Sequence, residues 1–328
     1  MRRPLFAALL ATALAPSLAP AALAEVPRVV TDIPATHSLT AQVMGDLGSP
    51  AVLLEQGGNA HNYALKPSQA QALSQADLVI WVGPAMTPWL ERAIKGVNIG
   101  GKQVGLLEAA PTHRQEFGAG AHQHEDEHTA EAGQTEAEHA AEAGHDDHDA
   151  PGHSHEGLDP HAWLTPENAE IWLGLIAEEL AAADPEHAAT YAANAEAAKK
   201  EIAALDARLK ASLAPVQGRP FVVFHDAYGY FAAHYGLNVV GAVALGDATA
   251  PGAGHLAELR EDLSHEGVVC AFPEAAHDPK QIDILLEGTS VKRGGTLDPS
   301  GANLAYGPAL YATLMGNLAD TLVACLAP

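Results

Sequence analysis

Basic residues are scarce in this chain. Only 17 Lys and Arg stand against 41 Asp and Glu in 328 residues, a formal net charge of -24, which argues against nucleic acid or an anionic membrane surface as a partner and suits attraction of cations. Long apolar runs are missing beyond the first two dozen residues. No later window reaches the ~20 apolar residues that a membrane-spanning helix needs. Cysteine is almost absent at 2 residues, Cys270 and Cys325, and neither lies near the small-residue stretch Ala22-Leu23-Ala24. A lipid-modified N-terminus is therefore not expected.

What the first residues do contain is a basic start, Met1-Arg2-Arg3, a short apolar run from Leu5 to Leu14 and then Ala22-Leu23-Ala24. These are the three parts of a secretory signal, so residues 1–24 are expected to be removed and the mature, soluble, exported chain to begin at Glu25. In an oxidising compartment a disulfide between the two cysteines is the default, worth about 4 kcal/mol in the chain-entropy account. Two unpaired core thiols are the alternative.

The mature chain is long enough for two domains with cores of their own. Its first half alternates β-branched runs at 28–33, 51–56, 78–82 and 103–107 with helical patterns at 38–47, 67–74 and 87–95. The second half repeats the arrangement, with strands expected at 221–224, 239–243, 268–272 and 290–292 and helices at 227–234, 253–264, 279–287 and 309–326. Such alternation predicts an α/β fold of two lobes, each a mostly parallel sheet flanked by helices. Between them, residues 166–213 are rich in Ala, Glu, Leu and Lys, with Pro185 the punctuation inside the run. This reads as a helix to about Ala183 and a longer one from about Pro185 to Leu213, one long rigid linking helix about 40 Å in length. The expected divisions are a first lobe at 25–165, linking helices at 166–213 and a second lobe at 214–328.

An insertion at 113–156 interrupts the first lobe. It holds nine of the 18 histidines, among them His122, His124, His128, His139, His145, His148, His153 and His155, interleaved with Asp and Glu and almost without branched apolar residues. Such a segment buries too little surface to offset the entropy of ordering it, so a mobile loop is expected. Imidazole suits zinc, copper and nickel, so the tract predicts weak, exchangeable metal sites. A solvated acidic linker is the plainer reading.

Other histidines stand where open α/β sheets bind ligands, beyond the carboxyl ends of strands. His61 follows the strand expected to end at Gln56, His225 follows Phe221-Val222-Val223-Phe224, and His161 lies where the insertion rejoins the chain. Asp298 follows the last strand, and Glu274 is a reserve carboxylate. Three imidazoles with a carboxylate or water make a tetrahedral zinc site. His37, His187, His234, His255, His265 and His277 lack such placement.

Four segments carry a resemblance: Gly58-Asn59-Ala60-His61-Asn62-Tyr63 with Lys66-Pro67-Ser68; Asp159-Pro160-His161-Ala162-Trp163; Phe224-His225-Asp226-Ala227-Tyr228; and Gly295-Thr296-Leu297-Asp298-Pro299. In this order they resemble the signatures of the cluster A-I metal-binding proteins of ABC importers, over essentially the whole mature chain. The resemblance implies two α/β lobes joined by a long helix, with a zinc ion held between them by His61, His161, His225 and either Asp298 or water. It implies a monomeric periplasmic solute-binding protein, not an enzyme, that delivers zinc to an inner-membrane ABC permease, with a periplasmic zinc chaperone as a further partner. Relatives that carry manganese have a carboxylate where His225 stands, and the cysteine pair is similar to the disulfide of zinc members. One departure is Ala60, where some members place an acidic residue. The alternatives are an exported zinc-dependent hydrolase with Glu274 as base, or a zinc, copper and nickel scavenger.

Overall fold

The computed structural model describes residues 26–97, 99–118, 157–244 and 252–328. The expected signal segment 1–24 lies outside them, as do the expected loop ligands His122, His124, His128, His139, His145, His148, His153 and His155.

Two parallel sheets form the frame. In the first lobe β1 (Val29–Thr31), β2 (Ala51–Val52), β3 (Leu78–Trp81) and β4 (Lys102–Gly105) lie in the order β2-β1-β3-β4. The second lobe repeats this topology with β5 (Pro220–His225), β6 (Asn238–Ala244), β7 (Cys270–Ala271) and β8 (Lys292–Arg293) in the order β6-β5-β7-β8. All pairings are parallel. In both sheets the chain changes direction of travel after its first strand, which opens a crevice at the carboxyl ends of the two central strands. Strands covered on both faces need no polar alternation, and Leu78-Val79-Ile80-Trp81 is buried throughout.

The helices follow the expected order with shifted ends. Helix α1 (Pro34–Met44) begins four residues before the expected Ser38 because Pro34 supplies the helical φ at the first position, where a backbone N–H has no partner to lose. Thr36 and Asp32 complete the start, the Thr36 hydroxyl donating to Asp32 Oδ1 at 2.6 Å. Helices α2 (Pro67–Gln75) and α3 (Pro88–Gly96) cover the outer face of the first sheet, and α7 (Ala253–His265) and α8 (Lys280–Leu286) that of the second. The short α6 (Gly229–Tyr235) follows β5.

Between the lobes, α4 (Pro166–Ala183) and the long α5 (Ala188–Leu213) form a hairpin, divided at the expected Pro185. The turn comes at Asp184, whose carboxylate takes Tyr191 Oη at 2.8 Å and His187 Nδ1 at 2.7 Å, while Pro185 to His187 make a tighter 3-10 turn. Helix α5, 26 residues and so about 39 Å long, buries Tyr191, Ala195, Ala198, Ile202, Leu205, Leu209 and Leu213, one stripe at helical spacing. That stripe packs on α1 of the first lobe and on α9 (Leu310–Leu326) of the second. One continuous apolar core therefore runs through both lobes and the helices between them.

Two links add to this core. Cys270 of β7 and Cys325 of α9 form a disulfide. Residues 299–308 pass from the second lobe onto the first, where Ala302 O accepts Gly57 N at 2.9 Å, Pro308 O accepts Ser38 Oγ at 2.9 Å and Pro299 O accepts Trp163 Nε1 at 2.9 Å. At the insertion, residues on its two sides pair antiparallel: Phe117 N donates to Gly157 O and Asp159 N to Gln115 O, each at 3.0 Å. The expected loop start at His113 is corrected accordingly. Residues 113–118 lie along the surface of the first lobe's exit, held by Gln115 N on Tyr230 Oη and His113 N on Asn168 Oδ1. Among the described residues no helix is long and apolar enough to cross a membrane.

Candidate metal centre

Each expected histidine reaches the interlobe crevice by a different local device. The loop carrying His61 turns at Gly57, whose φ of 78° suits glycine, and Asn59 Oδ1 accepts His61 N at 2.8 Å and Asn62 N at 3.2 Å. Trp89 Nε1 fastens the same loop by donating to Ala60 O at 2.7 Å. His161 is held by Asp159, whose Oδ1 accepts its backbone N at 2.9 Å and lies 2.8 Å from its Nδ1. Both residues are 1% exposed. His225 ends β5, and Glu274, just past β7, sets Oε1 2.6 Å from its Nδ1. The other oxygen of Glu274 accepts the Tyr228 hydroxyl at 2.9 Å.

A carboxylate on one ring nitrogen fixes the tautomer and aims the other nitrogen. Here the aimed atoms converge. His161 Nε2 lies 3.3 Å from His61 Nε2 and 3.3 Å from His225 Nε2. A tetrahedral ion with Zn–N bonds of about 2.0–2.1 Å has edges of about 3.3–3.4 Å, so two edges of the coordination polyhedron are already set. A cavity of about 20 Å³, the room of a single ion or water, lies among His61, His161, His225, Trp163 and Met86. Burial, then the neighbouring His161, His225 and His277, holds the His61 ring well below the usual imidazole range. His61 is thus neutral near pH 7, the form that can coordinate.

Asp298 is not in the cluster of donors, although the next residues, Pro299 and Ser300, line the cavity. Its Oδ2 accepts Asn303 N at 2.9 Å and its Oδ1 accepts Ala302 N at 3.1 Å and Ser300 Oγ at 3.3 Å, so the carboxylate shapes the segment that crosses to the first lobe. Its oxygens are not among those gathered with the three imidazoles, and the carboxylate at the crevice is the reserve, Glu274. Burial raises the Asp298 carboxyl above its usual value, against the pull of those donors.

His277 is the residue that sequence reasoning set aside and the structure brings in. Its Nε2 stands 3.5 Å from Glu274 Oε1 and its ring lies against Phe224 at 4.4 Å between centroids. The spacing of three residues from Glu274 was the available signal. A second omission is Asp32, read as part of a strand. It is fully buried and accepts Ile33 N at 2.8 Å, Val82 N at 2.9 Å and Thr87 Oγ1 at 3.3 Å, knitting the ends of β1 and β3 beneath the crevice. Burial raises its carboxyl above the ordinary aspartate value. Of the other histidines set aside, His234 pairs with Asp206 and His255 with Ala242 O, both away from the crevice.

Residues 29–325 match the family ZnuA, described as zinc-uptake complex component A, periplasmic. The chain belongs to the ZnuA family. It is 54% identical over 317 residues to the high-affinity zinc uptake system protein ZnuA of Paracoccus denitrificans, covering 97% of both chains. The protein of the same description from Brucella abortus is 40% identical over 305 residues, with 91% of each chain covered. Among solved structures the chain is similar to the SBP FpvC of Pseudomonas aeruginosa in complex with Mn2+, with a TM-score of 0.74 at 21% identity over 92% of this chain and 98% of that one. That likeness speaks to fold alone, and it covers both lobes and the helices that the ZnuA family match also spans.

Proposed function

We propose that this chain is the periplasmic zinc-binding component of a zinc uptake system, with His61, His161 and His225 as ligands and an ABC permease of the inner membrane as the recipient. The single observation that carries the metal assignment is the pair of 3.3 Å separations between the three Nε2 atoms, which matches the edges of a zinc tetrahedron. Membership of the ZnuA family supplies the setting, and the zinc uptake named for its relatives supplies the cargo. The fourth position goes to a water or to Glu274 after rotation, in preference to Asp298, whose oxygens already serve backbone donors.

The binding step uses what these residues do on their own. Asp159 accepts from Nδ1 of His161 and Glu274 Oε1 stands 2.6 Å from Nδ1 of His225, leaving two Nε2 lone pairs aimed at one point, and His61 completes the set from the first lobe. Trp163 and Met86, both buried, give the cavity an apolar wall. The hydrolase alternative finds no support in the family match. The chain acts here as a carrier, not an enzyme, and as a monomer.

Residues 1–24 act in this reading as the signal that exports the chain to the periplasm. The histidines between 119 and 156, from His122 to His155, serve as weak zinc sites that raise the local ion concentration and offer a contact for a zinc chaperone; a broader scavenging role is the second use of the same tract. Calorimetry tests the scheme: removing residues 119–156 is expected to abolish weak zinc equivalents and leave one tight equivalent, which His161→Ala then removes. No tight equivalent in the shortened chain, or an undiminished one in the His161→Ala variant, refutes it.

A further inference from the structure

One imidazole of the centre faces two ways. The Nε2 of His225 joins His61 and His161, while its Nδ1 faces Glu274, and behind Glu274 stands His277. The donor atoms of His225, Glu274 and His277 lie within 4.8 Å of one another, as do those of the first set. Two imidazoles and a carboxylate suit the same divalent transition metals, zinc among them.

The position of His277 comes from an unusual backbone. Ala276 adopts φ of 64°, and among the described residues it is the one position other than glycine in that left-handed region. Such strain persists where the surroundings impose it and it gathers at binding sites. Its effect here is to turn the chain back after Glu274, so that the His277 ring stacks on Phe224 and stands 5.8 Å from the His225 ring. The His277 side chain is 20% exposed, against 3% for Glu274 and 4% for His225. Of this set it is the member that solvent reaches.

We propose that His225, Glu274 and His277 form a second position for a divalent transition-metal ion, alternative to the first, through which the ion steps as it enters or leaves the crevice. The inference rests on the reading that the first set holds the tightly bound ion. A neutral imidazole offers one lone pair, so a single ion occupies one side of His225 at a time. The two positions lie about 6 Å apart across the ring, from metal–nitrogen bonds of about 2 Å on either side. Moving outward, the ion leaves Nε2 for Nδ1 and the ring proton passes the other way, where Nε2–H can donate to His161 Nε2 at 3.3 Å. Glu274 rotates from hydrogen-bond acceptor to ligand.

Cobalt(II), added to the full-length chain, tests this. Its visible absorption is strong in a four-coordinate site and weak in the six-coordinate environment of loosely held ions. His61 lies on a half-buried loop, so His61→Ala cripples the first set while far-UV circular dichroism checks the fold. The variant is expected to keep one strongly absorbing cobalt with an altered spectrum, and adding His277→Ala is expected to weaken that binding by about tenfold or more. Equal binding by the single and double variants overturns the proposal, as does absence of a strongly absorbing cobalt in His61→Ala. Chelator-triggered zinc release from the His277→Ala variant is expected to be slower than from the native chain; an unchanged rate removes the stepping role. None of these results depends on the tight zinc equivalent being lost in the native chain, which is the result that strikes the carrier assignment itself.

Discussion

Each imidazole at the centre is usable because of what holds its ring. Asp159 lies 2.8 Å from His161 Nδ1 and Glu274 2.6 Å from His225 Nδ1, while the Asn59 side chain fixes the backbone of His61. Coordination therefore costs little reorganisation. His37 shows what a buried imidazole does without such a partner: it is 6% exposed on α1, its Nδ1 has no hydrogen-bond partner among the described residues, and burial lowers its pKa from 6.5. The unfolded chain then takes up the proton first as pH falls through 6.5, so stability is present above that value and is lost as pH drops toward the depressed folded value. The metal-free protein is expected to lose thermal stability between pH 7 and pH 5, and His37→Leu to reduce that dependence. Melting curves of the two chains across this range decide it: parallel dependences would assign the loss to other groups.

At the scale of elements, the strands are short and the connections carry much of the order. β7 has two residues, yet it precedes Glu274, so its place in the sheet matters to the site. The Cys270–Cys325 disulfide ties that strand to α9 across a separation of 55 residues, and the chain-entropy account gives it about 4 kcal/mol. Replacing both cysteines by Ala is expected to lower the unfolding free energy by about that amount in urea titrations. A change near zero would mean that residual structure already restricts the unfolded chain. The segment from Asp298 to Pro308 belongs at this scale too, since its bonds to Gly57 and Ser38 set the first lobe against the second.

Across the whole molecule, the lobes share their largest core, while each keeps a smaller one beneath its outer helices. Leu39 and Val43 of α1, Ile202 and Leu205 of α5 and Leu314 and Leu318 of α9 share one buried cluster, and the disulfide, the crossing segment and the α4–α5 hairpin reinforce it. Opening the crevice widely would expose that core at roughly 25 cal/mol per Å² of apolar surface. Zinc loading is therefore expected to change the radius of gyration by less than about 1 Å, the scale of preorganised binding sites. Small-angle scattering on metal-free and zinc-loaded protein checks this, and a larger contraction would show that the lobes hinge.

The alternation of strand and helix and the linking segment were legible in the residues alone, because they depend on local periodicity, and His61, His161 and His225 stood out through their loop positions and the motifs around them. Pro185 marked the break between α4 and α5 in advance, whereas Pro34 shifted the start of α1, the effect of a single residue at an element end, where propensity is weakest. Glu274 was legible only as a reserve carboxylate, and His277 was set aside. Whether Asp298 faces the crevice or its own backbone depends on the turn from Ser300 to Asn303, and His277 reaches Glu274 only through the left-handed Ala276. Sequence by itself singled out His61, His161 and His225, through their places in the loops and through the motifs that carry the family resemblance. Only the tertiary structure decided what stands behind them, because loop conformation answers to distant packing rather than to neighbours in the chain.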